Sequence, residues 1–200
     1  MRWDRFFEDL EDQLDSEWEA ERAALDSEAE RLRLSRTTLR ERLQALAGDD
    51  AAQIGLHLTD RTVLTGRLSA VGVDWAGLAP DGLPGGAGIV AMDAVTAVAL
   101  PEAELLRSAR APAAPARRSL SERMTLGFVL RDLARRRVPV TVHLHDGELS
   151  GTIDRALADH LDLALHEIGV PRRSDQLRGV RMVPYRALAW VRLEEPDRAR

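Results

Sequence analysis

Cysteine is absent from the 200 residues, which excludes disulfides and thiolate metal sites. Lysine and asparagine are absent too, so all 28 basic residues are arginine. Codons for both missing residues are poor in G and C, and the pattern reads as codon bias rather than chemistry. Aromatic residues make up only 4% of the chain. No apolar run approaches the roughly 18 residues of a membrane span. The opening Met1-Arg2-Trp3-Asp4 has no apolar signal core. These absences lead to a cytoplasmic protein as the expectation.

Catalytic signatures are missing as well. No Ser/His/Asp order, paired-carboxylate motif or nucleotide fingerprint stands out. His143 and His145 lie two apart on one strand face beside Asp146, and His57 is the counterpart of His143. Such a set can bind a metal, but a solvated strand face explains it more simply. The glycine-rich stretch from Pro80 to Gly88 lacks the Lys-Ser/Thr of a phosphate loop and reads as a hairpin loop. The expectation is a non-enzymatic protein with no cofactor, no metal and no small-molecule substrate.

What is present is a repeat. From Val140 to Leu165 the chain reads as three strands: Val140, Val142 and Leu144 alternate with polar residues. Asp146-Gly147 supplies a turn, and Leu149, Gly151 and Ile153 share one face of the next strand. Leu161, Leu163 and Leu165 follow. The same order occurs earlier. His57 to Asp60 matches His143 to Asp146, Leu64 to Leu68 matches Leu149 to Ile153, and Val73-Asp74-Trp75 matches Ala158-Asp159-His160. Ile89 to Val95 then matches Met182 to Leu188, and Val98 and Leu100 match Val191 and Leu193. An internal repeat takes precedence over any single motif in deciding architecture. It predicts a duplicated five-stranded barrel, with Gly66 and Gly151 as equivalent bends.

The remaining segments complete a mainly β chain with α elements. Residues 1–48 read as one long amphipathic helix, with Trp18, Leu25 and Leu32 in a seven-residue series. Ser35 to Thr38 is a possible break, with Thr38 and Glu41 in capping-box register. Trp3, Phe6, Phe7, Trp18, Leu25 and Leu32 are its candidate oligomer or partner contacts, through a coiled coil or by docking. Packing against the chain's own barrels explains the same stripe. Residues 49–100 form the first barrel, 101–118 a Pro/Ala linker, and 119–194 a helix plus the second barrel. That helix runs from about Leu120 to Arg137, capped by Ser119 or Ser121, with Leu126, Val129, Leu130 and Leu133 as its apolar stripe.

A helix, a strand, an Asp-Gly turn, a strand with central glycine, and a last strand pair about a short turn together resemble the Sm-like (Hfq/LSm-type) small-barrel family. Met182 to Val191 is similar to that family's second motif, with Tyr185 and Arg186 at its Lys-His positions. The resemblance implies a tandem Sm-like, SH3-like barrel protein. The family's nucleotide pocket is not carried over: Gly72, Ala76, Ala91 and Met92 stand at its positions in the first repeat. Leu157, Leu161, Pro184 and Tyr185 stand there in the second.

Net charge is −5 but uneven. Residues 1–48 hold 8 arginines against 13 carboxylates, residues 49–116 hold 4 against 8, and residues 117–200 hold 16 against 12. Two functions follow. One is an adaptor acting through protein contacts and self-association. The other is RNA or DNA binding by the basic second barrel, through Arg135, Arg136, Arg137, Arg172, Arg173, Arg178, Arg181 and Arg186. The scarcity of aromatics in that barrel favours the adaptor.

Overall fold

The structure, a computed structural model, describes residues 2–48, 51–82, 86–110, 120–167 and 177–193. Within 2–20, side-chain burial is described only for Gln13, Trp18 and Glu19. Residues 1–39 form one compact unit and residues 40–200 another.

The first unit is helix α1, Arg2–Arg36. A single helix over 1–48 is not what forms, because the chain breaks before α2, Leu39–Leu46. The cause is a run of hydroxyl side chains that take helix carbonyls for themselves. Ser35 Oγ donates to the Leu32 carbonyl at 2.8 Å and Thr37 Oγ1 to the Arg33 carbonyl at 3.0 Å. Exposed ion pairs one turn apart, such as Arg33 with Glu30 at 2.6 Å, line α1 and add little each.

The described residues of the second unit form ten strands. β1 (Gln53–Leu58), β2 (Val63–Val71), β3 (Trp75–Pro80), β4 (Ala87–Ala91) and β5 (Val95–Ala99) come first. Helices α3 (Glu102–Ala109) and α4 (Leu126–Arg136) follow. Then come β6 (Pro139–Leu144), β7 (Gly147–Ala156), β8 (His160–Leu165), β9 (Gly179–Pro184) and β10 (Leu188–Leu193). Every pairing is antiparallel, in the order β5-β1-β2-β3-β4-β10-β6-β7-β8-β9.

This corrects the expectation of two separate Sm-like barrels. Among the described residues there is one open sheet of ten strands, and β4 is hydrogen-bonded to β10. The reason lies in β4 and β10 themselves. Ile89, Val90 and Ala91 are consecutive buried residues, and so are Leu188 to Val191. Strands apolar on both faces need cover on both sides and a partner at each edge. Alternation identified the strands but not which strand β4 would join.

Within the sheet the two halves share their register. Ile54 lies opposite Gly66 as Val140 lies opposite Gly151. Leu68 faces Leu78 as Ile153 faces Leu163, and each pairing then slips by one residue. Gly66 and Gly151 hold equivalent places for a steric reason. A Cβ on Gly66 would lie 2.2 Å from the Ala79 carbonyl oxygen, and one on Gly151 2.0 Å from that of Ala164.

One hydrophobic core takes in the strands, Leu43 and Leu46 of α2, and Leu126, Leu130 and Leu133 of α4. α4 starts later than the sequence indicates. Ser121–Arg123 is a separate 3-10 turn, and Thr125 is the cap, its Oγ1 accepting from the Phe128 N–H at 3.3 Å. Ser119 lies outside the described residues. The expected linker is helical over Glu102–Ala109, tied to α2 by Arg42, which donates to Ser108 Oγ at 2.9 Å and to the Leu105 carbonyl at 2.8 Å. The Pro80–Gly88 stretch joins β3 to β4 as a hairpin, with 83–85 outside the described residues.

Candidate functional site

The turn between β7 and β8 and the 3-10 turn after β9 meet at one corner of the sheet. The Tyr185 N–H donates to the Asp159 carbonyl at 2.8 Å. The Tyr185 hydroxyl donates to the Leu157 carbonyl at 2.9 Å, where Arg131 also donates at 3.4 Å. An open groove of about 500 Å³ results, lined by Asp159, His160, Met182, Pro184, Tyr185 and Arg186. His160 Nδ1 sits 2.7 Å from an Asp159 carboxylate oxygen. That hydrogen bond holds the Asp159 carboxyl below its usual range, with desolvation opposing it and Arg186 adding to it. Burial pushes the Tyr185 phenol up, and the Asp159 charge pushes the same way against Arg131.

The first half has the same corner, and there it is filled. The Met92 N–H donates to the Asp74 carbonyl at 3.0 Å, as Tyr185 does to Asp159. The segment entering α4 lies across it. The Val73 N–H and Trp75 Nε1 both donate to the Met124 carbonyl, at 2.9 and 3.0 Å. The Leu126 N–H donates to Asp74 Oδ1 at 2.6 Å. So Asp74 receives the first free amide of a helix, a favourable place for a carboxylate.

Several described members of the expected nucleic-acid set have local partners. Arg135 and Arg136 pair with Asp132, at 2.5 and 2.7 Å, on the exposed face of α4. Arg137 ends that helix in the left-handed region, φ 54°. Arg178 pairs with Glu167, and Arg181 donates to the Val180 carbonyl. Of the described ones, Arg186 lines the groove. Arg172 and Arg173 lie outside the described residues. Of the expected contact residues, Trp18, Leu25 and Leu32 are 68, 65 and 49% exposed on α1. The side chains of Trp3, Phe6 and Phe7 lie outside those described. The histidines are engaged separately. His143 stacks on Trp190 with ring centroids 3.9 Å apart, and His145 bridges Thr59 Oγ1 and the Arg186 carbonyl at 2.7 and 2.9 Å.

No protein-family model, curated protein or solved structure matches this chain, so nothing in these comparisons identifies an Sm-like family. Among the described residues no helix is long and apolar enough to cross a membrane.

Asp159 and His160 were the residues that sequence reasoning passed over as a site. Their signal was the matched pair Asp74-Trp75, whose corner is already occupied by the chain.

Proposed function

We propose that this is a cytoplasmic, non-enzymatic binding or adaptor protein that acts through protein–protein contacts and self-association. The observation that carries the proposal is the exposure of Trp18, Leu25 and Leu32 at seven-residue steps on α1. Single exposed leucines are ordinary, but a tryptophan in line with two leucines is an apolar stripe of the kind partners cover. Sedimentation velocity over a range of concentrations tests it. The full chain is expected to associate, and Trp18→Ser/Leu25→Ser/Leu32→Ser is expected to bind fewer partners or copies. Identical behaviour of the two proteins removes α1 as the contact.

A second reading, RNA or DNA binding, draws support from one corner only. There Tyr185, His160 and Arg186 line one groove, residue types able to stack on a base and hold a phosphate. Fluorescence anisotropy at several salt concentrations tests this reading. Arg186→Ala is expected to lower the salt slope by about 0.7 to 0.9, and an unchanged slope discards it.

A further inference from the structure

We infer that the open corner at Asp159 and His160 is a docking site for a partner protein. It takes the partner's chain where that chain turns into a helix: an apolar residue, followed two places later by the first free N–H of the helix. The inference rests on the protein-contact reading above but places the contact on residues other than those of α1.

The filled corner at Asp74 shows what such a turn holds. Both turns are closed by the same bond. The Gly72 N–H donates to the Trp75 carbonyl at 2.8 Å, and the Leu157 N–H to the His160 carbonyl at 2.9 Å. In the first half three groups of the turn serve the Met124–Leu126 segment. The Val73 N–H and Trp75 Nε1 donate to the Met124 carbonyl, at 2.9 and 3.0 Å, and Asp74 Oδ1 accepts from the Leu126 N–H at 2.6 Å. The second half keeps the set. The Ala158 N–H stands for that of Val73, Asp159 for Asp74, and His160 for Trp75, since an imidazole can also donate. Among the described residues the Ala158 N–H meets no acceptor.

Charge and shape at the open corner fit the same kind of occupant. The Asp159 side chain is 89% exposed and that of His160 33%, whereas Trp75 is 7% exposed in the filled corner. A carboxylate complements the positive end of a helix and its unpaired N–H groups. His160 engages one Asp159 oxygen and leaves the other to accept. Met182, Pro184 and Tyr185 line the groove, and Met182 is 76% exposed. They suit an apolar side chain such as Met124, which packs against the core in the filled corner. The Asp159 carboxylate repels a phosphate, which favours a peptide over a nucleic acid. This chain places its own Met124–Leu126 in the first corner, so the second is left for another protein.

The probe is the acetylated, amidated peptide Ser-Glu-Arg-Met-Thr-Leu-Gly-Phe, the sequence of residues 121–128, titrated into the full chain and followed by heteronuclear NMR. The Ala158 amide is expected to shift as it gains an acceptor, together with His160 and Met182. Asp159→Ala is expected to weaken binding about five-fold, the worth of one helix-capping contact, and Asp159→Asn to keep it within about two-fold. His160→Trp restores the donor of the filled corner and is expected to tighten binding about five-fold. A peptide N-methylated at its leucine is expected to bind as weakly to the wild type as the parent peptide binds to Asp159→Ala. The inference is overturned if the peptide moves none of these resonances, or if Asp159→Ala and the N-methylated peptide bind undiminished. It is equally overturned if a uridine hexanucleotide moves them and the peptide does not, or if they shift with protein concentration alone, which assigns the groove to a second copy. None of these results bears on α1, whose role the sedimentation experiment decides separately.

Discussion

Gly151 shows how a residue can be legible in sequence for an incomplete reason. The Leu-x-Gly-x-Ile spacing marks it as a bend, but its constraint is the Ala164 carbonyl, which occupies the place of a Cβ. Because backbone, not a flexible side chain, stands there, Gly151→Ala must shift the β7–β8 pairing. A loss of about 3 kcal/mol is expected in denaturant unfolding, and Gly66→Ala should behave alike. Gly147, with nothing within 4 Å of its would-be Cβ, serves as the tolerant control. Tyr185, the single tyrosine of the chain, gives a second readout at this scale. Its phenol is raised by burial, so the folded state favours the neutral form. The associated stability is complete below the ordinary phenol value of about 10 and is lost as pH rises through the raised one. Phenolate absorbance should therefore appear later in the folded chain than in the unfolded chain. Tyr185→Phe should flatten that alkaline loss. Coincident titration of folded and unfolded chains would show that the hydroxyl is not buried in the folded chain.

At the scale of elements, the strands and their order within each half were readable because alternation and turn residues act locally. Partner choice was not, because β4 and β10 present apolar side chains in succession and the pattern says only that both are covered. The start of α4 failed for a similar reason. Ser119 and Ser121 have the chemistry of a cap, and the one that decides is Asp74, fifty-two residues away, at 2.6 Å from the Leu126 N–H. Local rules see Thr125 and the two serines alike. The sequence match of Asp74 with Asp159 was on view, yet it gave no hint that one corner is filled and the other open. Thr125→Ala and Asp74→Ala are each expected to cost about 1 kcal/mol by losing a capping acceptor. Because the two sites share one helix end, the double variant should cost less or more than the sum. Additive values in a double-mutant cycle would mean that the two acceptors serve the helix independently.

At the scale of the molecule, the expected boundary at residue 48 falls in the wrong place for an experiment on α1. Leu43 and Leu46 of α2 are 1 and 2% exposed in the core, and Arg40 reaches the Gly72 and Glu122 carbonyls at 2.7 and 2.6 Å. Removing residues 1–48 deletes two buried leucines along with α1, at a cost of about 2–5 kcal/mol for each cavity if nothing refills it. That is a large share of the 5–15 kcal/mol of an ordinary domain. A chain beginning at Thr37 keeps α2 and all ten strands. It is expected to unfold in one cooperative transition with a midpoint close to that of the full chain, since residues 1–39 form a compact unit of their own. A chain beginning at Asp49 is expected to unfold at markedly lower denaturant or to aggregate. Equal midpoints for the two truncated chains would show that α2 contributes nothing to the core. A large drop already in the chain from Thr37 would show that α1 supports the sheet, and would turn its apolar stripe from a partner surface into part of the fold.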